Sequence, residues 1–448
     1  MSDSNLVREL EEALGAVPLI DVHTHLVGGK LSARGLHDVL LYHMGISELY
    51  AAGCPSGSRL TEYPGWPGVE EAHARLEEAV PFLPKVRNTS TSWGARIILA
   101  DLYGWTDPVT PSNWRRLDAI VRERADDPEW GRAILDRAAI ARSGTELARR
   151  GRGDDDARLQ YALEWGFFTR CQWGEFDTAL HELERCWGKS PEGPSPIGSG
   201  TRPVTDRSIR TLDDVHEAVG HYVGSIPYGR ILATATHLST DIDYHPVTDS
   251  EMAAALARRD QAGTVERDIY ASYIHEAFLK GLEVHGDEIV LQYSFGAEPL
   301  PFETGSRVKD RTLAQLAEMI GRHPRLRVQV LLGSRHANQA LCTMARELPN
   351  LSVAGFWWHN VFPDVIAQVL AERLEMLPLN KQVGFFSDAY CAEWSYGKAV
   401  IVRKVMARVL AAFVEQGQFS TADALSVARA VLYDTPRELL GFVPGVNV

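Results

Sequence analysis

The sequence predicts an α/β chain folded as a closed (β/α)8 TIM-type barrel, with a helical insertion between its first and second strands. Three observations predict it. Short apolar, β-branched runs recur eight times along the 448 residues, with helix-like segments between most of them. The first run ends in Ile20-Asp21-Val22-His23-Thr24-His25-Leu26, where His23 and His25 share one face of an extended strand. The last run delivers Asp388, and a closed barrel is the arrangement that brings first and last strands together.

Taken in order, the expected strands are Pro18–His23, Ile140–Thr145, Leu159–Trp165, Arg230–Thr236, Glu288–Phe295, Leu326–Gly333, Leu351–Trp358 and Val383–Asp388. Helices are expected between them over Ser250–Gly281, Thr312–His323, Asn338–Leu348 and Pro363–Leu377. The gap after the first strand exceeds what one helix needs. It contains helical patterns at Ala33–Met44, Val69–Ala79, Asn113–Arg124 and Pro128–Ala139, so residues 30–137 read as a cap inserted into a single barrel of residues 1–448. Lys189–Asp206, rich in Pro, Gly and Ser, reads as a long surface loop. Closing helices are expected at Ser395–Gln416, Thr421–Leu432 and Pro436–Leu440, with Thr435 as a cap before Pro436.

Composition narrows the function. The chain is 45% apolar and 23% charged, as in ordinary globular proteins, and carries a net charge of −13. That charge argues against nucleic acid or an anionic membrane as partner, and an anionic substrate would need local arginines. The five cysteines are odd in number and form no C-x-x-C pair, which fits a reducing compartment. The polar start and the lack of a long apolar run lead to the expectation of a cytoplasmic protein. A small-molecule substrate is the expected partner, and a homo-oligomer is compatible with such a barrel.

Chemistry in such barrels collects at the C-terminal strand ends. Two imidazoles side by side and a distant carboxylate can chelate one divalent cation, so His23, His25 and Asp388 are the expected ligands. Zinc is the expected ion, with iron or manganese as alternatives. Other strand-end residues are His237, Gln292 and Tyr293, with Arg335, Trp357, Trp358 and Tyr390 on the later strands. Arg170 and Arg335 could clamp a carboxylate in bidentate fashion, although surface arginines are common. His237 could be a third imidazole ligand, a substrate contact or simply a hydrogen-bonded loop residue. Consecutive tryptophans in a strand point to opposite faces, so one of Trp357 and Trp358 should line the pocket and the other the core.

With these residues in place, the chain resembles the uronate isomerases of the amidohydrolase superfamily, over almost its whole length. The likeness rests on Asp21-Val22-His23-Thr24-His25-Leu26, the long helical insertion, Gly355-Phe356-Trp357-Trp358-His359-Asn360 and Phe386-Ser387-Asp388. It implies that His23, His25 and Asp388 bind the metal, that His237 lies where the family has an Asp-His pair, and that Arg170 lies near a substrate-binding arginine. The departures are equally specific. The family's cap pair His-Tyr, its tyrosine implicated in proton transfer, reads His43-Met44 here. Gln292 stands where a histidine is expected, and Tyr390 where an arginine follows the metal-binding aspartate.

Three functions follow as expectations. The first is aldose–ketose isomerisation of a uronate or related hydroxy-acid sugar through an enediolate. There Asp388 is the base, His43 or Tyr390 relays a proton, and Arg170 takes the carboxylate. The second keeps the site but performs hydrolysis, decarboxylation, C–C cleavage or iron-dependent oxygenation of a small carboxylate-bearing substrate. The third is a binding subunit without catalysis, against which the retained ligand set argues.

Overall fold

The computed structural model describes residues 4–56, 68–151, 155–164, 178–187, 207–238, 243–286, 288–296 and 308–441. Eight parallel strands stand in chain order in one curled sheet. They are β1 (Leu19–Thr24), β2 (Ile140–Glu146), β3 (Leu159–Glu164), β4 (Ala233–Leu238), β5 (Val290–Phe295), β6 (Arg327–Leu332), β7 (Leu351–Ala354) and β8 (Gln382–Val383). Helices surround the sheet, as a (β/α)8 barrel requires. The seam between β8 and β1 is closed by the segment after β8. There the Asp388 amide donates to the His23 carbonyl (3.0 Å) and the His25 amide to the Ala389 carbonyl (2.8 Å).

The last two strands are shorter than expected. β8 stops because Gly384 turns its amide to the Val431 carbonyl (2.7 Å), and Asp388 adopts a left-handed φ of 55°. β7 stops at Gly355, whose φ is 51° and whose position would put a Cβ 2.0 Å from the Phe386 ring. Only glycine fits there. The tryptophan pair therefore lies outside the strand, and alternation does not govern it.

The expected helix Ser250–Gly281 is two helices, Asp249–Ala257 and Thr264–Leu282. Between them the buried Arg259 donates to the Ile209 carbonyl (2.9 Å) and to Glu184 (3.0 Å), which pins the break. Thr435 is not a cap: it lies inside the final helix and its hydroxyl donates to the Leu379 carbonyl (2.9 Å).

Between β1 and β2 lie helices Leu36–Leu40, His43–Ala51, Val69–Ala79, Leu83–Val86, Ser90–Tyr103, Trp114–Ala125 and Trp130–Arg137. The expected Ala33–Met44 helix breaks at Tyr42, which is extended at φ −73° and ψ 136°. One apolar core joins β1, this insertion and the long helix Ala392–Glu415. A second fills the space between β3–β7 and their outer helices. No disulfide joins the described cysteines to one another, and no described helix is long and apolar enough to cross a membrane. Trp165, Arg170, Cys171 and the segment Lys189–Asp206 lie outside the described residues.

Candidate metal centre and active site

Alternation along β1 puts the imidazoles of His23 and His25 at the strand's C-terminal end, and the segment after β8 brings Asp388 to them. Their ligand atoms all lie within 4.8 Å of one another. Asp388 Oδ1 is 3.7 Å from His23 Nε2 and 3.2 Å from His25 Nε2.

The backbone around Asp388 is held from every side. Its amide is spent on the His23 carbonyl, and its own carbonyl accepts from the Tyr42 hydroxyl (2.7 Å). One residue earlier, the Ser387 amide donates to Asp21 Oδ1 (2.7 Å). The Ser387 carbonyl accepts from Asn360 (3.0 Å) and from the buried Lys398 ammonium (2.5 Å), which also donates to the Tyr42 hydroxyl. These bonds sustain a left-handed backbone at a non-glycine residue, a conformation costing about 1–2 kcal/mol.

The second layer acts on His25. Its Nδ1 bonds the Glu146 carboxylate at the end of β2, which directs Nε2 toward Asp388. The other Glu146 oxygen accepts from Arg149 Nε (2.9 Å).

Electrostatics follow from this burial. His23 is pushed down to about 3 by burial and the charge of His25, so it is neutral. Burial opposes protonation of His25, but the Glu146 carboxylate outweighs it and raises the ring to about 10. Burial would raise the Asp388 carboxyl, yet the hydrogen bond and charge of His25 hold it well below the usual carboxylate range. Asp21, fully enclosed, is pushed up to about 7 by burial. Glu164, the last residue of β3, is pushed up to about 8 by burial and the nearby Glu146 charge.

This donor set fits a divalent cation. Two ring nitrogens and an ionised carboxylate oxygen converge, the His25 ring giving up its second proton to a cation, and the carboxylate behind that ring then sets its tautomer, the arrangement of transition-metal sites.

The other sequence candidates are distributed unevenly. Tyr390 stacks on His25, with ring centroids 4.6 Å apart and planes at 10°, and lies 6.0 Å from His43. His43 meets Trp358 edge-on at 4.8 Å, Trp358 meets Trp357 at 5.6 Å, and Trp357 meets His237 at 5.3 Å. These rings form one continuous aromatic wall from His25 to His237. Both tryptophans are buried and join this run of rings; they follow the end of β7, so strand alternation does not set their directions, and Trp358 itself has a left-handed φ of 62°. Gln292 is buried within the barrel and donates to Gln329 (2.9 Å). Arg335 is exposed and donates to Gln368 on the helix Pro363–Met376 (3.4 Å); no described contact brings it to the ligand group.

Sequence reasoning missed Glu146, Arg149, Glu164, Tyr42 and Lys398. Ending β2 at Glu146 and β3 at Glu164 would have found the two carboxylates by the strand-end rule. Lys398, one turn after Trp394 on a mostly apolar helix, was a signal too.

The fold and this group define a class: a (β/α)8 barrel with a His-x-His and Asp cluster at its C-terminal mouth. No family model and no curated protein matches the chain. Among solved structures it is similar to the uronate isomerase of Thermotoga maritima (TM-score 0.74, 14% identity, 98% of both chains). It is similar also to the glucuronate isomerase of Caulobacter crescentus (0.76, 15%, 98% of this chain and 95% of that one). A metal-dependent hydrolase described from Lactobacillus casei is a more distant likeness (0.55, 16%, 96% and 97%). At such identities these likenesses establish the fold.

Proposed function

We propose that the protein is a metal-dependent aldose–ketose isomerase acting on a uronate or related hydroxy-acid sugar. The observation that carries this reading is the convergence of His23, His25 and Asp388 at the barrel mouth. It is supported by a fold shared end to end with uronate isomerases. His23, His25 and Asp388 would hold one divalent ion, with zinc expected and iron or manganese the alternatives; bound there, it supplies Lewis acidity to a neighbouring carbonyl and hydroxyl.

The rest falls to the chain. Asp388, ionised and fixed in orientation, takes the proton from the carbon beside the substrate carbonyl and returns it to the neighbouring carbon, through an enediolate. His43, which burial holds down to about 4, is neutral and moves a proton between the two substrate oxygens with Tyr390. The Tyr42 hydroxyl does not replace the tyrosine absent at position 44, because its proton is committed to the Asp388 carbonyl. Trp357, Trp358 and His237 close the aromatic side of the pocket, and Arg170 is retained as a substrate contact.

Hydrolysis at the same site is the second reading. It is favoured by Met44, buried where a proton-transferring hydroxyl would serve isomerisation, and by the likeness to a metal-dependent hydrolase.

The test is NMR of glucuronate, galacturonate and fructuronate in heavy water with zinc-loaded protein. Isomerisation predicts deuterium at the carbon beside the carbonyl and interconversion to an isomer. No exchange with any of the three removes the uronate version, and a product of altered composition supports the second reading.

A further inference from the structure

Arg373, on the helix Pro363–Met376, is 2% exposed and spends its bonds on neutral oxygens. Its Nε donates to Asn338 Oδ1 (2.9 Å) and its Nη1 to the Gly355 carbonyl (2.5 Å). Among the described residues no carboxylate forms an ion pair with it. The neighbouring Glu372, whose charge it feels, is turned to Asn338 Nδ2 (2.7 Å). A guanidinium enclosed without a bonded counter-charge is costly, because burial strips its hydration and nothing repays the loss.

The groups around it add positive charge instead of cancelling it. His359, in the turn after β7, is 7% exposed, and its Nε2 has no hydrogen-bond partner among the described residues. Its backbone is fixed, the amide donating to the Phe356 carbonyl (2.8 Å) and the carbonyl accepting from the Phe362 amide (2.7 Å). Burial and the charges of Arg373, Arg335 and His336 hold the ring down to about 4, so it is neutral and carries one N–H. Arg335 and His336 are exposed and open the helical run that continues as Asn338–Glu347. Ser334 precedes them in an extended conformation and its side chain caps none of the first amides, which keep their positive partial charge. The described bond of the Arg335 guanidinium goes to a neutral acceptor, Gln368 (3.4 Å).

We propose that the loops after β6 and β7 together form a phosphate-binding site, in which Arg335, His359 Nε2 and the amides after Ser334 donate to a phosphate group, free or at the end of a small ester. Arg373 supplies charge from beneath, and the anion answers both it and the unpartnered imidazole. A tetrahedral anion takes donors from several directions, and a guanidinium beside a helix N-terminus provides them; a carboxylate is satisfied by one planar fork. His359 directly follows Trp357 and Trp358, so the site adjoins the aromatic wall of the pocket, yet no described contact joins it to His23, His25 or Asp388. It stands whether or not the isomerase reading does.

The experiment is calorimetric titration of zinc-loaded, full-length protein with inorganic phosphate, at an ionic strength held constant with chloride. Wild type should bind phosphate saturably. Arg335→Gln and His359→Phe should each weaken that binding about 10-fold or more, the worth of a charge-assisted hydrogen bond. His25→Gln separates the site from the metal centre and should leave the affinity within about 3-fold of wild type. Binding lost in His25→Gln but kept in Arg335→Gln would put the anion on the metal and overturn the proposal. So would the lack of saturable binding up to on the order of 10 mM phosphate. Arg335 is exposed, so its variant keeps the test decisive if His359→Phe does not fold. Repeating the titration with D-glucose 6-phosphate distinguishes the two sources of the group: unchanged affinity points to the free ion, and a gain of about 10-fold that Arg335→Gln removes points to an ester.

Discussion

Replacing Glu146 by glutamine is the sharpest probe of the ligand group, because it keeps size and shape and removes one charge. In the native site one carboxylate oxygen bonds His25 Nδ1 and the other accepts from Arg149 Nε at 2.9 Å. An amide can serve one of these partners only: if its oxygen stays with His25, its NH2 group faces the Arg149 N–H, donor against donor. Two consequences point the same way. The imidazole loses the anion that makes it a stronger ligand, and the site loses a negative charge that favours a cation. Losing such an outer partner typically weakens metal binding about 10- to 100-fold, or about 1.4–2.7 kcal/mol. Competition of zinc-loaded protein against a chromophoric chelator measures this directly, with Glu146→Asp as a charge-preserving control. Affinity of Glu146→Gln within about 3-fold of wild type, in a protein that melts normally, would refute the view that the β2 carboxylate supports His25 as a metal ligand.

Three other outcomes are expected. Tyr42→Phe removes the donor to the Asp388 carbonyl and an acceptor for Lys398, and should cost about 1–3 kcal/mol in urea unfolding together with weaker zinc binding. Gly355→Ala places a Cβ 2.0 Å from the Phe386 ring at a φ of 51°, and should destabilise by at least about 3 kcal/mol or abolish soluble expression. Glu276 is lowered to about 2, chiefly by His323, whose Nε2 lies 3.3 Å from Glu276 Oε1, and despite burial, with Arg322 assisting. Its folded value lies below the unfolded one, so its contribution is present above about pH 4.5 and is lost as pH falls toward 2. Denaturation midpoints measured across that window should fall less steeply for Glu276→Gln than for wild type.

Much of the barrel was readable from local pattern. The strand cores at residues 19–24, 140–145, 290–295 and 327–332 are β-branched or apolar runs, and the helices Val69–Ala79 and Asn338–Glu347 follow their own periodicity closely. The helix Ser90–Tyr103 escaped notice because its buried residues, among them Gly94, Ala95, Ile98 and Leu99, face other helices and leave little polar contrast to read. The ends of β7 and β8 escaped because left-handed backbone at Gly355, Trp358 and Asp388 is imposed by tertiary partners, not by residue preference.

By itself the sequence determined the fold class and the three ligand candidates, because a period-2 strand places His23 and His25 together and a closed barrel returns residue 388 to residue 23. Only the tertiary structure decided which groups stand around them. Glu146 behind His25, Arg149 beside Tyr390, and Lys398 with Tyr42 beneath the Ser387–Asp388 peptide come from separate elements. Their side chains meet through packing across the barrel, and no spacing along the chain records that encounter.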